Sequence, residues 1–231
     1  MKLNILSGGA AQAVVDGLTQ AFEREAGCSV HGTFGAVGMM RDRLLAGEPC
    51  DVLILTAALI VELEASGHVV AGSARPLGKV GTGIAVRKGD PTPSVGDADS
   101  LKSALLAASG IYIPDQYKST AGIHVLKVLQ QLCIDKEVES RLHAFPNGAT
   151  AMRALAASTV RGEIGCTQVT EILYTPGISL VAPLPSAYAL DTVYTAAVCA
   201  ASAEPTLAAR FVELLSGDAS QALRVSTGIV I

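Results

Sequence analysis

The sequence predicts an α/β protein of two lobes, each a mostly parallel sheet flanked by helices. Three observations predict it. Strand-like and helix-like stretches alternate along most of the chain. Two long extended stretches, residues 79–88 and 191–199, stand symmetrically on either side of an inner α/β stretch. The 231 residues are 50% hydrophobic and only 16% charged, which suits two compact cores and not a disordered chain. With no Trp and 4% aromatics, the cores must be built from Ala, Val, Leu and Ile.

The elements follow in order. Residues 3–6 read as a short buried strand, and residues 11–26 as a helix with Val14, Leu18 and Phe22 on one face and Gly27 ending it. A strand over 29–34, a turn over 35–38 and a helix over 39–45 come next, broken by Gly47-Glu48-Pro49. The apolar run 51–55 is a third strand and 60–66 a short helix. After the first extended stretch, helices are expected over 101–107, 121–132 and 150–158, and strands over 110–113, 142–145, 163–167 and 178–182. The second extended stretch leads to a helix over 206–215, with Leu207, Phe211, Leu214 and Leu215 as its apolar stripe, and a last helix from about Ser220. The tail Gly228-Ile229-Val230-Ile231 is apolar and is expected to dock on a lobe or to serve a weak dimer contact.

This order places residues 1–80 and 195–231 in one discontinuous lobe and residues 83–190 in the other, with the chain crossing near 79–88 and 188–195. A single doubly wound domain is the alternative that periodicity leaves open.

The net charge of −4, with no basic stripe, argues against nucleic acid as a partner, since phosphate contacts need one. No stretch reaches the length of a membrane span. The four histidines, His31, His68, His124 and His143, lack ligand spacing, so no metal is expected. Ser7-Gly8-Gly9-Ala10 is not a dinucleotide fingerprint and there is no G-x-S-x-G elbow, so neither a cofactor nor serine hydrolysis is expected. The five cysteines, Cys28, Cys50, Cys133, Cys166 and Cys199, are odd in number and form no C-x-x-C pair, which reads as buried reduced thiols. The apolar run at the N-terminus stops after a few residues, unlike a secretory signal. A cytoplasmic location is the expectation; a removed signal would make it periplasmic.

Polar and glycine-rich turns recur after the strands, where α/β sheets hold ligands. Ser7, Gly8 and Gly9 follow the first strand, and Gly35, Ala36, Val37 and Gly38 the second. Such turns let backbone N–H groups approach an anion. Arg41, one turn into the next helix, could clamp a carboxylate or pair on the surface, with Arg43 as its competitor. Thr56 follows the third strand as a pocket residue or a helix cap. Tyr117, Lys118, Ser119 and Thr120 form a polar cluster after the strand that ends at Ile113-Pro114, with Ser119 or Thr120 placed to cap the helix that carries His124. Asn147 and Gly148 precede another helix, and Thr167 and Gln168 end another strand. For acid–base work the candidates are Glu171, His124 and Lys118. The bland readings of Glu171 and His124 are a first-turn helix carboxylate and a packed histidine.

Several stretches together carry a resemblance: Ile5-Leu6-Ser7-Gly8-Gly9-Ala10, Ala21-Phe22-Glu23-Arg24-Glu25-Ala26-Gly27, Thr33-Phe34-Gly35-Ala36-Val37-Gly38, Gly47-Glu48-Pro49-Cys50-Asp51-Val52 and the segment 81–91. The set resembles the molybdate-binding proteins of ABC importers, within the type 2 periplasmic-binding-protein fold, over nearly the whole chain. The resemblance implies hinged lobes with a small anion between them, held by serine hydroxyls, backbone N–H groups and a tyrosine. Here those positions read as Gly9, as Val37 or Gly38, and as Gln168, a departure that argues against molybdate or tungstate. Aconitate isomerase, which interconverts cis- and trans-aconitate, is similar to this family as well. The expected function is therefore binding of a small anionic, carboxylate-like ligand as a solute-binding or sensor-like protein, with an ABC permease as partner if exported, as a monomer or weak dimer. The alternative is cofactor-independent isomerisation of a small unsaturated polycarboxylate by proton removal and return.

Overall fold

The structure is a computed structural model that describes residues 1–231. The chain begins with strand β1 (Lys2–Gly8), a 3-10 turn, helix α1 (Gln12–Ala26), β2 (Ser29–Gly35), α2 (Val37–Leu45), β3 (Val52–Thr56), α3 (Ala57–Ala65) and β4 (Arg75–Val80). It continues through β5 (Thr82–Arg87), α4 (Ala98–Ala107), β6 (Ile111–Pro114), α5 (Thr120–Gln131), α6 (Asp135–Val138), β7 (Leu142–Phe145), α7 (Gly148–Ala157), β8 (Ile164–Gln168), α8 (Val169–Tyr174) and β9 (Ile178–Pro183). It closes with β10 (Thr192–Val198), α9 (Pro205–Ser216) and α10 (Gln221–Ser226).

These elements divide into two compact units. The first is Met1–Val80 with Thr192–Ile231, and the second is Gly81–Asp191. The stretch expected as one long strand over 79–88 is two strands, β4 in the first unit's sheet and β5 in the second's, with Gly81 between them. No helix is long and apolar enough to cross a membrane.

The first unit holds a five-stranded sheet of order β2-β1-β3-β10-β4. β1 runs parallel to β2 and to β3, whereas β10 is antiparallel to both β3 and β4. The sheet is thus mixed where the sequence predicts a mostly parallel one. The physical reason is the return of the chain: β10 arrives after the whole second unit and enters in the opposite direction. Val52, Leu53, Ile54 and Leu55 are fully buried, as a central strand with both faces covered requires. Helices α1 and α9 meet through an edge-on contact of Phe22 and Phe211, ring centres 4.8 Å apart. The apolar tail docks in this unit: Ile229 is buried and Val230 forms a backbone bridge with Lys79.

One buried carboxylate organises the junction between β1, β3 and the chain after β10. Asp51 accepts from the Asn4 backbone N–H at 2.7 Å, the Ser202 hydroxyl at 2.8 Å and the Ala203 backbone N–H at 3.0 Å. Burial alone would raise its pKa, but the bonds from Asn4, Ser202, Glu204 and Ala203 outweigh it and hold the carboxyl below its ordinary value.

The second unit has a sheet of order β7-β6-β8-β5-β9. β6 is parallel to β7 and β8, and β5 is antiparallel to β8 and β9, so this sheet is mixed as well. Its main core gathers Ile84, Leu101, Ile111, Ile113, Val125, Leu129 and Ile164, and a smaller cluster under α7 gathers Ala151, Met152, Leu155 and Ile172.

Candidate functional site

In each unit three parallel strands end on one edge of the sheet, and the loops that follow carry the residues singled out from sequence. Ser7 and Gly8 end β1 and lie beside Phe34 and Gly35 of β2, while Thr56 ends β3. In the second unit the loops after β6, β7 and β8 carry Tyr117 to Thr120, Asn147 with Gly148, and Gln168.

The first unit's edge is tightly packed. Ser7 is fully buried and its hydroxyl donates to the Gly8 carbonyl at 2.9 Å. A Cβ on Gly8 would lie 2.8 Å from Val37 Cγ1 and 2.9 Å from Tyr194 Cε1, so this glycine exists for close packing. Gly9 opens the 3-10 turn. Helix α2 begins at Val37, earlier than the sequence suggests, so Val37 and Gly38 are first-turn helical residues and Ala36 is the N-cap, with no side-chain cap bond. The N–H groups of the first turn of α2 lack intrahelical acceptors, which makes them available as donors. Arg41 forms an ion pair with Asp42 at 2.9 Å, and Arg43 pairs with Glu48. Thr56 stands at the N-cap of α3 but makes no cap hydrogen bond.

The second unit's edge is different. Ser119 caps α5, its hydroxyl accepting from the Gly122 N–H at 3.5 Å, and Thr120 opens the helix. Asp115 organises the preceding turn by accepting from the backbone N–H groups of Tyr117 and Lys118. Tyr117 itself is 80% exposed and Lys118 is exposed. His124 Nε2 lies 2.7 Å from the Tyr188 carbonyl, so that nitrogen is a donor in a structural bond and not a base. Asn147 caps α7, accepting from the N–H of Thr150 at 2.8 Å and from its hydroxyl at 2.9 Å.

Glu171 is the centre of this edge. It is buried, and Thr167 donates its hydroxyl to Oε2 at 2.6 Å. Backbone N–H groups of Ala149, Gln168 and Gly148 also bond to it. The carboxyl thus occupies the N-terminus of α7, where the expected anion was a ligand's. Gly148 is required by it: a Cβ there would lie 1.9 Å from Glu171 Oε2 and 2.0 Å from Thr167 Oγ1. Burial outweighs the bonds from Thr167, Ala149, Gln168 and Gly148 and pushes the Glu171 pKa up.

Beside it stands Gln168, 2% exposed, with neither its amide nitrogen nor its amide oxygen partnered. Thr82, its cross-strand partner, and Thr170 also carry buried hydroxyls with no partner. Sequence reasoning missed Thr82 and Thr170. The signal was the register that sets Thr82 opposite Gln168, a pairing between distant segments. Leaving buried amides and hydroxyls unpaired costs free energy.

A concave, largely apolar cavity of about 460 Å³ also opens on the second unit, lined by Pro91, Ala104, Ala107, Ile164 and Glu163. It lies at the start of β8, the opposite end of that strand from Gln168, and contains none of the loop residues above. No group of three or more His, Cys, Asp or Glu side chains is arranged to hold a metal ion.

Two α/β units, each with loops gathered at the C-terminal ends of parallel strands, define the class as that of the two-unit solute-binding proteins. The chain belongs to the family of bacterial extracellular solute-binding proteins, which matches residues 3–230. The fold is that of the type 2 periplasmic binding proteins. The periplasmic molybdate-binding protein of Azotobacter vinelandii superposes with a TM-score of 0.80 at 18% identity, covering 99% of both chains. The sulfate-binding protein of Mycobacterium tuberculosis H37Rv superposes with a TM-score of 0.77 at 18% identity, covering 99% of this chain and 86% of that one. In sequence, the chain is 28% identical to an aconitate isomerase of a Pseudomonas species over 235 residues, which is 97% of this chain and 86% of that protein.

The family corrects one expectation. Its members are extracellular, so the cytoplasmic location read from the N-terminus does not stand. A short apolar run at residues 3–6 is what a first core strand looks like, and β1 is one; it carries no information on compartment.

Proposed function

We propose that this protein is a cofactor-independent isomerase of a small unsaturated polycarboxylate of the aconitate type. The observation that supports the reading is the pairing, at one strand end, of a buried carboxyl of raised pKa, Glu171, with the partnerless amide of Gln168. The similarity to an aconitate isomerase over 97% of the chain supports it from an independent side.

The chemistry needs little. A methylene carbon between a carboxylate and a C=C bond carries an acidified allylic proton. A base takes that proton, the electron pair spreads over the three-carbon unit into the carboxylates, and the proton returns at the far carbon with the double bond moved. Glu171 is the proton carrier in this scheme, because a raised pKa makes a carboxylate a stronger base than an ordinary one. The amide N–H of Gln168 and the hydroxyls of Thr82 and Thr170 donate to the carboxylate oxygens on which charge accumulates. Neutral donors suit this role, since they stabilise developing charge without forming a fixed ion pair with the substrate. Lys118 and His124 have no part in it.

A second reading has its own observation. Glu171 is already bonded by one hydroxyl and three N–H groups, as a purely structural carboxylate would be. The protein would then bind a small carboxylate and deliver it to an ABC permease.

Proton NMR of cis-aconitate with the protein in D₂O separates the two. Formation of trans-aconitate above a protein-free control is the expected result. Saturable line broadening without turnover contradicts the isomerase and supports carriage. Neither broadening nor turnover overturns both readings, and molybdate and sulfate are then the next ligands to titrate.

A further inference from the structure

We infer that Cys50 and Cys199 form a disulfide that covalently joins the two chain segments of the first unit. The two sulfurs lie 3.3 Å apart, although 149 positions separate the residues in sequence. Cys50 is 6% exposed and Cys199 is 1% exposed. The other three cysteines are Cys28, half-buried, Cys166, buried, and Cys133, exposed.

Backbone pairing holds the two residues in place. Val52 of β3 pairs with Val198 of β10, and one step further the Cys199 N–H donates to the Asp51 carbonyl at 3.0 Å. The Cys50 thiol sits 3.1 Å from the Val52 carbonyl. With both backbones fixed, the sulfurs need to approach by only about 1.2 Å to reach bonding distance. The family's extracellular location supplies an environment in which such a bond persists.

The placement gives the bond a purpose. The first unit is discontinuous, and residues 81–191 are inserted between its two segments. β10 is an inner strand of the first unit's sheet, yet it arrives only after that insertion. A Cys50–Cys199 bridge ties it to the start of β3 and closes a loop that contains the entire second unit. Cross-links that close long loops restrict the unfolded chain most.

The oxidant is a small-molecule disulfide, RSSR. One cysteine thiolate attacks it, forming a mixed disulfide and releasing RS⁻. The second cysteine thiolate then attacks the protein sulfur of that mixed disulfide, forming the Cys50–Cys199 bond and releasing the second RS⁻. The two protons lost by the cysteines end on the two released thiolates, and RSSR is reduced to two RSH. The thiolate is disfavoured in the folded core. The contact with Cys50, burial and the neighbouring Asp51 all push the Cys199 thiol up. Exchange therefore takes place as the chain folds, before the core closes.

The test refolds the full chain in a buffer of reduced and oxidised glutathione and counts thiols after denaturation. Three alkylatable thiols instead of five are expected, with a mass loss of about 2 Da relative to the fully reduced chain and a peptide pair linking positions 50 and 199. Reduction is expected to lower Tm by about 5–15 °C. Cys50→Ala and Cys199→Ala should each abolish both the linked pair and the Tm difference. Five free thiols after refolding, or a linked pair that includes Cys28, Cys133 or Cys166 instead, would overturn the inference.

Discussion

The loop edges of the two units are built from the same plan and finished differently. In the first unit two polar side chains of the edge are engaged, Ser7 with the Gly8 carbonyl and Arg41 with Asp42, while Gly8 is packed against Val37 and Tyr194. What remains are the backbone N–H groups at the start of α2 and the Thr56 hydroxyl, which makes no cap bond. In the second unit the edge holds a buried carboxyl, Glu171, next to an amide and two hydroxyls without partners. In the proposed function the second unit's edge supplies the proton carrier, Glu171.

The largest expected effect is on Glu171. Glu171→Gln keeps the shape and removes the proposed proton carrier, so kcat should fall by about 10²–10⁴-fold with KM little changed. The same substitution alters stability in a defined pH window. Because the folded-state pKa is raised, the wild-type protein loses stability as pH climbs from the ordinary value of 4.5 through the folded value, and the glutamine variant lacks that decline. Denaturant unfolding at several pH values reads it.

Next come the two glycines, one from each edge. Gly148→Ala drives a methyl into Glu171 and Thr167 and is expected to cost about 1–3 kcal/mol and most of the activity. Gly8→Ala meets Val37 and Tyr194 and should cost about 1–3 kcal/mol in stability with a smaller loss of kcat. Equal loss of kcat in both variants would erase the distinction between the edges.

Asp51→Asn probes the junction that aligns β1 with the returning chain. Loss of the charged acceptor should cost about 1–3 kcal/mol at neutral pH. The lowered pKa means that the wild-type contribution is fully present above the ordinary 3.8 and fades as pH falls through the lower folded value. Acid unfolding of the two proteins should therefore converge at low pH. The smallest effect is expected from Arg41→Ala, which removes a half-exposed ion pair worth about 0–0.5 kcal/mol and should change KM less than about threefold.

Much of the fold was legible in the sequence because its signals are local. The apolar run 52–55 announces a covered strand, and Phe22 with Val14 announces the buried face of α1. The edge strand β4 was not legible at its start, where Arg75 and Pro76 are exposed and break the apolar pattern. Nor was α6, a single turn with charged residues at three of its four positions. The capping roles of Ser119 and Asn147 are visible in the sequence as hydroxyl and amide residues ahead of helices. The contacts that give the site its character are tertiary. Glu171 meets Gly148 across 23 positions, and Thr82 meets Gln168 across 86, so no window along the chain contains both members.

The most direct test compares initial rates of cis-to-trans aconitate conversion for the wild-type protein and Glu171→Gln at neutral pH, with thermal unfolding of both as the control for folding. The account predicts turnover by the wild type and a loss of about 10²-fold or more in a variant that still folds cooperatively. A folded Glu171→Gln protein that turns over aconitate at the wild-type rate would contradict it.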